Sequence, residues 1–348
     1  MKTIHGGDIY RNRVTLDFSV NMNPLGIPEA VTQALHDAVS QCHTYPDIHA
    51  QELKEAVGRT LGISKEHLLF GNGASELFLA IVHGLKPKKI VIPVPSFYGY
   101  EHAALAVTND VMYYTMKEEN QFLPNEDLFS YLTKDVDMMF LANPNNPTGV
   151  RMEQEWLKRI LQHCKDKNIV VVLDECFIEF CKSDLTALDL MDQFDNLILV
   201  RAFTKIFTIP GVRLGYMICK NQEINTKVAR QLPEWNLSTF AQKAGVACMN
   251  EMKFIEDTRE YLERERQFLQ TELEHVKDLK AHVYPAAANF ILLYTSKPFY
   301  KRLLEKGILV RDCSNFRGLG AGYYRVAVKS HEENVELMKV TGEIDWNE

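Results

Sequence analysis

The residues in this chain that could do chemistry begin with one lysine and one arginine, eight positions apart. Lys205 follows an apolar segment that ends at Val200, and Arg213 follows a Pro-Gly pair. Burial and cationic neighbours lower the pKa of a lysine and free its amine to form a Schiff base with an aldehyde. An arginine nearby could hold an anion such as a phosphate. A surface turn with two solvated cations is the alternative, because lysine is rarely buried without a partner or a role.

Two turns at strand ends offer further binding groups. Residues 71–76, Gly-Asn-Gly-Ala-Ser-Glu, lie between a predicted strand and helix, where unpaired N–H groups and the helix dipole favour an anion. Glu76 takes the sixth position, so this is not a full dinucleotide fingerprint, and a structural turn is the alternative. Residues 143–149, Asn-Pro-Asn-Asn-Pro-Thr-Gly, form a rigid loop directly after a strand, at the sheet edge where α/β proteins bind ligands.

Three charged residues stand in or beside apolar strands. Asp174 ends the apolar run 169–173, where a carboxylate needs a positive partner such as a protonated pyridine nitrogen. A helix-capping role is the alternative. Arg311 follows one strand and Arg325 lies inside another. Either arginine could clamp a carboxylate or phosphate, or form an internal salt bridge.

Composition narrows the class of protein. The 348 residues exceed one ordinary core, which predicts two domains. A net charge of −7 without a basic block argues against nucleic-acid binding, and the longest apolar runs are too short to span a membrane. The N-terminus lacks an apolar signal region, and the seven cysteines lack zinc-site spacing. We therefore expect a cytoplasmic protein with no metal site.

The order of elements predicts an α/β fold. Continuously apolar strands alternate with helices between residues 68 and 219, as in a mostly parallel sheet covered on both faces. Beyond residue 236, strands 290–294 and 324–328 flank a helix in a βαβ-like pattern. In the long helix 254–275, residues 263–266 are expected to be solvated. We predict an N-terminal arm (1–27) joining the small domain, a large domain (28–235) and a smaller α+β C-terminal domain (236–348).

In this order the motifs resemble those of fold-type I pyridoxal-phosphate enzymes of the class I and II aminotransferase group. The resemblance covers nearly the whole chain and rests on residues 143–149, Asp174, Lys205 and Arg213. It implies a large, mostly parallel seven-stranded sheet domain, bound pyridoxal 5'-phosphate, a small-molecule amino-acid substrate and a homodimer with shared active sites. Lys205 would carry the cofactor and transfer protons, and Asp174 would keep the ring nitrogen protonated.

The same resemblance implies the other cofactor contacts. Asn146 would bind the ring's 3-oxygen, and Phe97 would stack on the ring. The phosphate would be held within one chain by Gly73, Ala74, Ser75, Thr204 and Arg213. Tyr45 would reach that phosphate from the other subunit. Two positions depart from the common pattern: Phe177 replaces a tyrosine that binds the ring oxygen, and Ala202 replaces a phosphate-binding hydroxyl, for which Thr204 could compensate.

Within this group the chain is similar to histidinol-phosphate aminotransferases and to the threonine-phosphate decarboxylases of cobalamin biosynthesis. Phe177 and the segments 5–7, 17–26, 310–315 and 323–328 are more like the decarboxylases. That resemblance implies that the substrate's phosphate and carboxylate are bound by His5, Asn23, Arg311 and Arg325. The expected reaction is decarboxylation of L-threonine O-3-phosphate. A histidinol-phosphate type aminotransferase and a cofactor-binding protein without turnover are the alternatives.

Overall fold

The computed structural model describes residues 5–181 and 186–347. The strands are β1 (Leu16–Asp17), β2 (Leu68–Gly71), β3 (Lys89–Val94), β4 (Asp110–Thr115), β5 (Met138–Ala142), β6 (Val170–Asp174), β7 (Leu197–Ala202), β8 (Gly215–Ile218), β9 (His282–Val283), β10 (Phe290–Tyr294), β11 (Ile308–Leu309), β12 (Arg311–Asp312) and β13 (Tyr323–Ala327). The α-helices are α1 (Glu29–Val39), α2 (Gln51–Leu61), α3 (Ala74–Leu85), α4 (Tyr98–Leu105), α5 (Gln154–Asp166), α6 (Phe203–Ile206), α7 (Gln222–Ala229), α8 (Thr239–Cys248), α9 (Met252–His275), α10 (Phe299–Glu305) and α11 (His331–Glu343).

A seven-stranded sheet in the order β2-β8-β7-β6-β5-β3-β4 forms the centre of the fold. Only β8 runs antiparallel to its neighbours. The central strands β5 and β7 are buried along their whole length, which confirms the α/β class predicted from their continuous apolar runs. Register places Ala142, Asp174 and Val200 side by side. The carboxyl ends of β5, β6 and β7 therefore meet at one edge, where the site residues follow.

A second, four-stranded sheet has the order β12-β13-β10-β9. The predicted βαβ-like pattern in this region is wrong, because β10 and β13 are direct antiparallel neighbours, with Leu292 opposite Arg325. The chain reaches β13 from α10 through the short strands β11 and β12, and not by a parallel crossover. Residues 16–17 of the N-terminal arm pair in parallel with β11. The domain boundaries remain a prediction.

Helix α9 is less solvated than its charges suggest. Glu263 and Arg264 are exposed as expected, whereas Glu265 and Arg266 are buried, at 7% and 9% exposure, which corrects the expectation for these two residues. Glu265 accepts a 2.9 Å hydrogen bond from Asn334 Nδ2 on α11. Arg266 is paired with Glu263 and donates to the Ala288 carbonyl at 3.3 Å. Both charges are buried because they bind polar groups of neighbouring segments.

A helix that crosses a membrane needs about 20 consecutive, mostly apolar residues. The longest, α9, has 24 residues and is rich in charge. Neither it nor any other helix in these ranges combines the length and the apolar character needed to cross a bilayer.

Candidate active site

A cavity of about 280 Å³ lies at the carboxyl edge of the large sheet, facing β12 and β13. Most of the residues predicted to form the site line it. They are His5, Gly73, Ala74, Ser75, Phe97, Asn146, Asp174, Thr204, Lys205, Arg213, Arg311 and Arg325. Phe177 and Ala202, the two departures from the common pattern, line it as well. Tyr45 and Asn23 do not.

The loop after β5 presents one of its three asparagines to the cavity. Asn145 Nδ2 donates to the Pro95 carbonyl and to Thr148 Oγ1, both at 2.9 Å, and Asn143 Oδ1 accepts from the Met152 amide at 2.8 Å. These two side chains hold the loop. Asn146 instead accepts a hydrogen bond on Oδ1 from Arg325 Nη1. Because a guanidinium can only donate, this contact orients the Asn146 amide and leaves Nδ2 to donate to a ligand.

The start of α3 and Arg213 form an anion site. Helix α3 begins at Ala74 without a side-chain cap, so its first N–H groups face the cavity unpaired. The preceding Gly73 has φ +79°, and a Cβ there would lie 2.7 Å from Arg213 Nη2. Arg213 is itself held by the carbonyls of Pro210 at 3.1 Å and Asn72 at 3.4 Å. Glycine therefore lets the guanidinium approach the helix start, where both favour a negative charge.

Lys205 lies in the short helix α6, directly after β7. Burial lowers the pKa of its amine to about 8, and the positive charges of Arg325 and Arg213 act in the same direction. The amine is therefore easier to deprotonate than that of an ordinary lysine. A fraction of the molecules carries it as a neutral nucleophile near neutral pH.

Asp174, the last residue of β6, turns its carboxylate into the cavity. Oδ2 accepts from the Tyr100 hydroxyl at 2.5 Å and Oδ1 from the Cys176 amide at 2.8 Å. Burial raises the pKa of this carboxyl group, and the two hydrogen bonds oppose that shift. The group is fixed in place and suited to a cationic partner from a ligand.

The next residue, Glu175, has a structural role that sequence reasoning missed. Successive side chains of an extended segment point to opposite sides, so Glu175 points away from the cavity. Its Oε2 accepts from Nε and Nη2 of Arg201 on β7 at 3.0 and 2.7 Å. Both side chains are buried. The apolar context of Arg201 was the available signal, because a buried guanidinium requires a carboxylate or comparable acceptors.

Arg325, on β13, is a buried cation without a carboxylate partner. Its Nη2 donates to the Ser19 carbonyl at 2.8 Å and its Nη1 to Asn146. Within the described ranges Nε is buried without a hydrogen-bond partner, and the negative charge of Asp17 acts on the guanidinium without a direct ion pair. Burial lowers its pKa to about 10. An anionic ligand in the cavity would compensate this charge.

Arg311 and His5 lie at the same end of the cavity as Arg325. Arg311 Nη2 donates to Asn315 Oδ1 at 2.7 Å, and its guanidinium lies over the Phe316 ring, 5.0 Å from the centroid. Burial lowers the pKa of Arg311. The pKa of His5 is lowered by burial and by the charges of Arg311 and Arg325. His5, Arg311 and Ser19 also line an adjoining cavity of about 210 Å³, where Asp8 and Asp312 add two carboxylates.

Asn23 is placed differently from the prediction. Its Nδ2 donates to the Ile206 carbonyl at 2.7 Å and to Thr258 Oγ1 at 2.8 Å, which ties the N-terminal arm to the segment after Lys205 and to α9. Asn23 thus holds the arm in place and does not line the cavity, and substrate contact at this residue stays a prediction. Asn21 lines the cavity instead, and its buried Oδ1 has no partner in the described ranges. The alternation of polar and apolar residues from Ser19 to Asn23 was the available signal.

Tyr45 points away from the cavity of its own chain. It is 80% exposed and packs against Trp235 with the ring centroids 4.9 Å apart. Its contact with a second subunit remains a prediction.

Phe177 packs edge-on against Phe290, with the ring centroids 5.0 Å apart, and offers no hydroxyl to a ligand.

Comparison with known proteins identifies the family. The family model described as aminotransferase class I and II matches residues 13–340. A protein of Caldanaerobacter subterraneus subsp. tengcongensis, provisionally assigned as a threonine-phosphate decarboxylase, is 38% identical over 342 residues, 96% of this chain and 92% of that protein. The threonine-phosphate decarboxylase of Salmonella typhimurium is 32% identical over 346 residues, 96% of this chain and 94% of the relative. The crystal structure of the histidinol-phosphate aminotransferase from Clostridium acetobutylicum has a TM-score of 0.88 and 31% identity, and the match covers 94% of this chain and 98% of that one.

The family match spans almost the whole chain and includes every residue that lines the cavity from Ser19 to Arg325. Enzymes of this family depend in general on pyridoxal phosphate. The site around Lys205 combines the nucleophile, carboxylate and anion site that such a cofactor requires. The chain belongs to the class I and II aminotransferase family.

Proposed function

We propose that this protein uses pyridoxal 5'-phosphate to decarboxylate L-threonine O-3-phosphate. The observation that carries the proposal is the positive end of the cavity. Arg325 is buried there with no direct carboxylate partner in the described ranges, beside Arg311. A substrate with both a carboxylate and a phosphate would compensate the charge of Arg325 and could also bind Arg311. The two relatives whose names refer to threonine-phosphate decarboxylation support the same substrate.

The residues around Lys205 fit the cofactor. Asp174 offers a fixed carboxylate for a protonated ring nitrogen, and Asn146 offers an oriented amide donor for the ring oxygen. The uncapped start of α3 and Arg213 together form a binding site for the phosphate. A Cβ at Gly73 would clash with Arg213 at this site. When bound, pyridoxal phosphate accepts the electron pair left at the substrate's α-carbon after a bond breaks.

Each protein group then has a defined task. Tyr100 and the Cys176 amide hold the Asp174 carboxylate in one orientation. Lys205 would be the residue that holds the aldehyde end of the bound cofactor, and its amine could deliver a proton to the substrate's α-carbon. Its pKa of about 8 suits an amine that both accepts and donates a proton near neutral pH.

The arginines decide which bond at the α-carbon breaks. The orientation in which these residues hold the substrate would select between loss of CO₂ and loss of a proton at the α-carbon. Arg325 is oriented by Asn146 and Ser19, and Arg311 by Asn315. Arg311 lines the main cavity, where its guanidinium can bind the substrate's phosphate, whereas the adjoining 210 Å³ cavity also holds the carboxylates of Asp8 and Asp312. Anchoring the phosphate at Arg311 would fix the orientation of the substrate's carboxylate and favour its loss as CO₂.

The test is incubation of the cofactor-loaded enzyme with O-phosphothreonine while CO₂ and the phosphorylated amine are measured. Threonine without the phosphate is the matched control substrate. Release of CO₂ in a one-to-one ratio with amine supports the proposal. Arg311→Lys should lower kcat/KM by about tenfold or more, because an ammonium cannot reproduce the planar fork of a guanidinium. Amino transfer from histidinol phosphate to a keto acid, without CO₂ from O-phosphothreonine, would favour the aminotransferase alternative.

We further infer a cytoplasmic homodimer in which Tyr45 completes the partner's phosphate site. The exposed Tyr45 and Trp235 rings support a buried role in an assembly. Mixing Lys205→Met with Tyr45→Ala subunits tests this. One hybrid site then has both the lysine and the tyrosine, so random pairing should restore about a quarter of the sites. A mixture no more active than the average of the two variants would contradict shared sites.

A further inference from the structure

The segment 313–322, which connects β12 to β13, separates two cavities. Phe316 of this segment lines the active cavity and also a second cavity of about 390 Å³. Phe97 and Arg311 line both cavities as well. These three side chains therefore form a partition between the active cavity and the larger one.

The larger cavity has a solvent-exposed rim. Tyr98 is 37% exposed, and Ser314, Asn315 and Arg317 are exposed too. A small molecule approaching from this side would meet the Phe316 partition before it reached Lys205. The geometry is that of an outer vestibule and an inner reaction chamber.

One ion pair holds segment 313–322 to the large-sheet side of the vestibule. Arg317 Nη2 lies 2.8 Å from Glu101 Oε1 on α4. The Arg317 guanidinium also lies over the Tyr113 ring of β4, 3.9 Å from its centroid, and the Tyr113 hydroxyl donates to Glu101 Oε1 at 2.9 Å. We refer to Glu101, Tyr113 and Arg317 as the latch. Charge and cation–π attraction act together here on an otherwise exposed side chain.

A glycine lets segment 313–322 lie close to the end of β3 in the large sheet. Gly318 has φ +88°, and a Cβ there would lie 3.2 Å from the Pro95 nitrogen and 3.3 Å from the Val94 carbonyl carbon. Gly320, two residues later, has no atom within 4 Å of such a Cβ. A side chain at position 318 would therefore push segment 313–322 away from the end of β3, while one at position 320 would not.

We propose that segment 313–322 is a gate through which substrate enters, that Phe316 is its closing side chain and that the latch positions it. The proposal rests on the proposed function for the identity of the substrate. Release of the latch moves Phe316 away from the cavity and lets O-phosphothreonine pass between vestibule and chamber. Arg317 and Glu101 are positioning residues, since they act through Phe316 and do not line the active cavity.

The first test measures gate opening in the cofactor-loaded enzyme by limited trypsin digestion at the Arg317–Gly318 bond, and it needs no substrate. Cleavage of an opened segment tracks the population of the open form. Gly318→Ala and Glu101→Gln should each speed cleavage about fivefold, the effect of losing one modest surface interaction. Gly320→Ala is the matched control and should stay within about twofold of the parent, since its Cβ meets open space. Equal rates for Gly318→Ala and Gly320→Ala would overturn the gate.

The second test measures the kinetics of O-phosphothreonine. Glu101→Lys places two cations together, so it should raise KM about tenfold and leave kcat within about threefold. The charge-swapped double variant Glu101→Lys/Arg317→Glu should restore KM to within about threefold of the parent, which a merely structural role would not predict. An unchanged KM for Glu101→Lys, or no rescue by the swap, would refute the latch. If O-phosphothreonine is not a substrate at all, the proposed function fails, while the trypsin rates still decide on the gate.

Discussion

The lowered pKa of Lys205 has a measurable consequence for the stability of the cofactor-free protein. A lysine amine has a pKa of about 10.5 in the unfolded chain, and burial with two nearby arginines brings it to about 8 in the fold. The folded state therefore binds the proton more weakly than the unfolded state. Below the pKa of the folded state, the protonated amine lowers the free energy of unfolding by its full amount. This penalty disappears as pH rises toward the pKa of the unfolded chain.

The two pKa values set the size of the effect. From proton linkage, the penalty is roughly 3 kcal/mol at about pH 7 and roughly 1.4 kcal/mol at about pH 9.5. Lys205→Met removes the titrating group and with it the penalty. Its advantage in the free energy of unfolding over the parent should therefore shrink by roughly 2 kcal/mol between these two pH values. Only this pH-dependent part is predicted, because the methionine also changes apolar packing by an amount that does not depend on pH.

Urea unfolding of cofactor-free parent and Lys205→Met at the two pH values checks the prediction. Lys301→Met is the matched control, since it removes an exposed lysine on α10 that does not line the cavity. The difference between Lys301→Met and the parent should stay constant. If the difference between Lys205→Met and the parent also stayed constant from neutral to alkaline pH, the physical account of this lysine would be refuted.

Three further predictions separate site residues from structural ones. Asn21→Ala should lower kcat/KM by about tenfold with little loss of stability. Asn23→Ala should instead cost about 2 kcal/mol of unfolding free energy, because two buried hydrogen bonds are lost. Kinetics and urea unfolding of both variants check this, and the reverse pattern would contradict it. Gly73→Ala should weaken pyridoxal phosphate binding by about tenfold or more, since its Cβ meets Arg213, while Gly211→Ala, with open space around the Cβ, should bind normally in a fluorescence titration. Glu175→Gln should destabilise the fold by about 3 kcal/mol, because it leaves a buried arginine without its carboxylate, and an unchanged melting temperature would count against that pair.

The large sheet was predicted well because the apolar runs of its strands can be recognised within short stretches of sequence. A continuously apolar run such as β6 must be buried on both faces wherever it lies in the fold. Residues that directly follow such strands, including Asp174, Asn146 and Lys205, must then meet at the carboxyl edge of a parallel sheet. Strand order was not needed to group these residues.

The errors arose where a side chain's partner is distant along the chain. The charges of Glu265 and Arg266 look solvated in sequence, yet their partners on other segments bury them. Asn21 and Asn23 are indistinguishable as residue types, and only the position of Ile206 and Thr258 decides that Asn23 holds the arm. The antiparallel pairing of β10 with β13 is likewise a choice that periodicity leaves open.

The sequence by itself therefore determined the α/β class, the family and the identity of most cavity residues, because apolar periodicity, turn chemistry and rare charged residues in strands are properties of short segments. The tertiary structure alone decided how those residues act. Arg325 and Asn146 are 179 positions apart, yet their hydrogen bond sets which amide group Asn146 offers to a ligand. Arg317 meets Glu101 across 216 positions, and no local pattern predicts that contact. Orientation, charge compensation and access depend on neighbours that only the folded chain brings together.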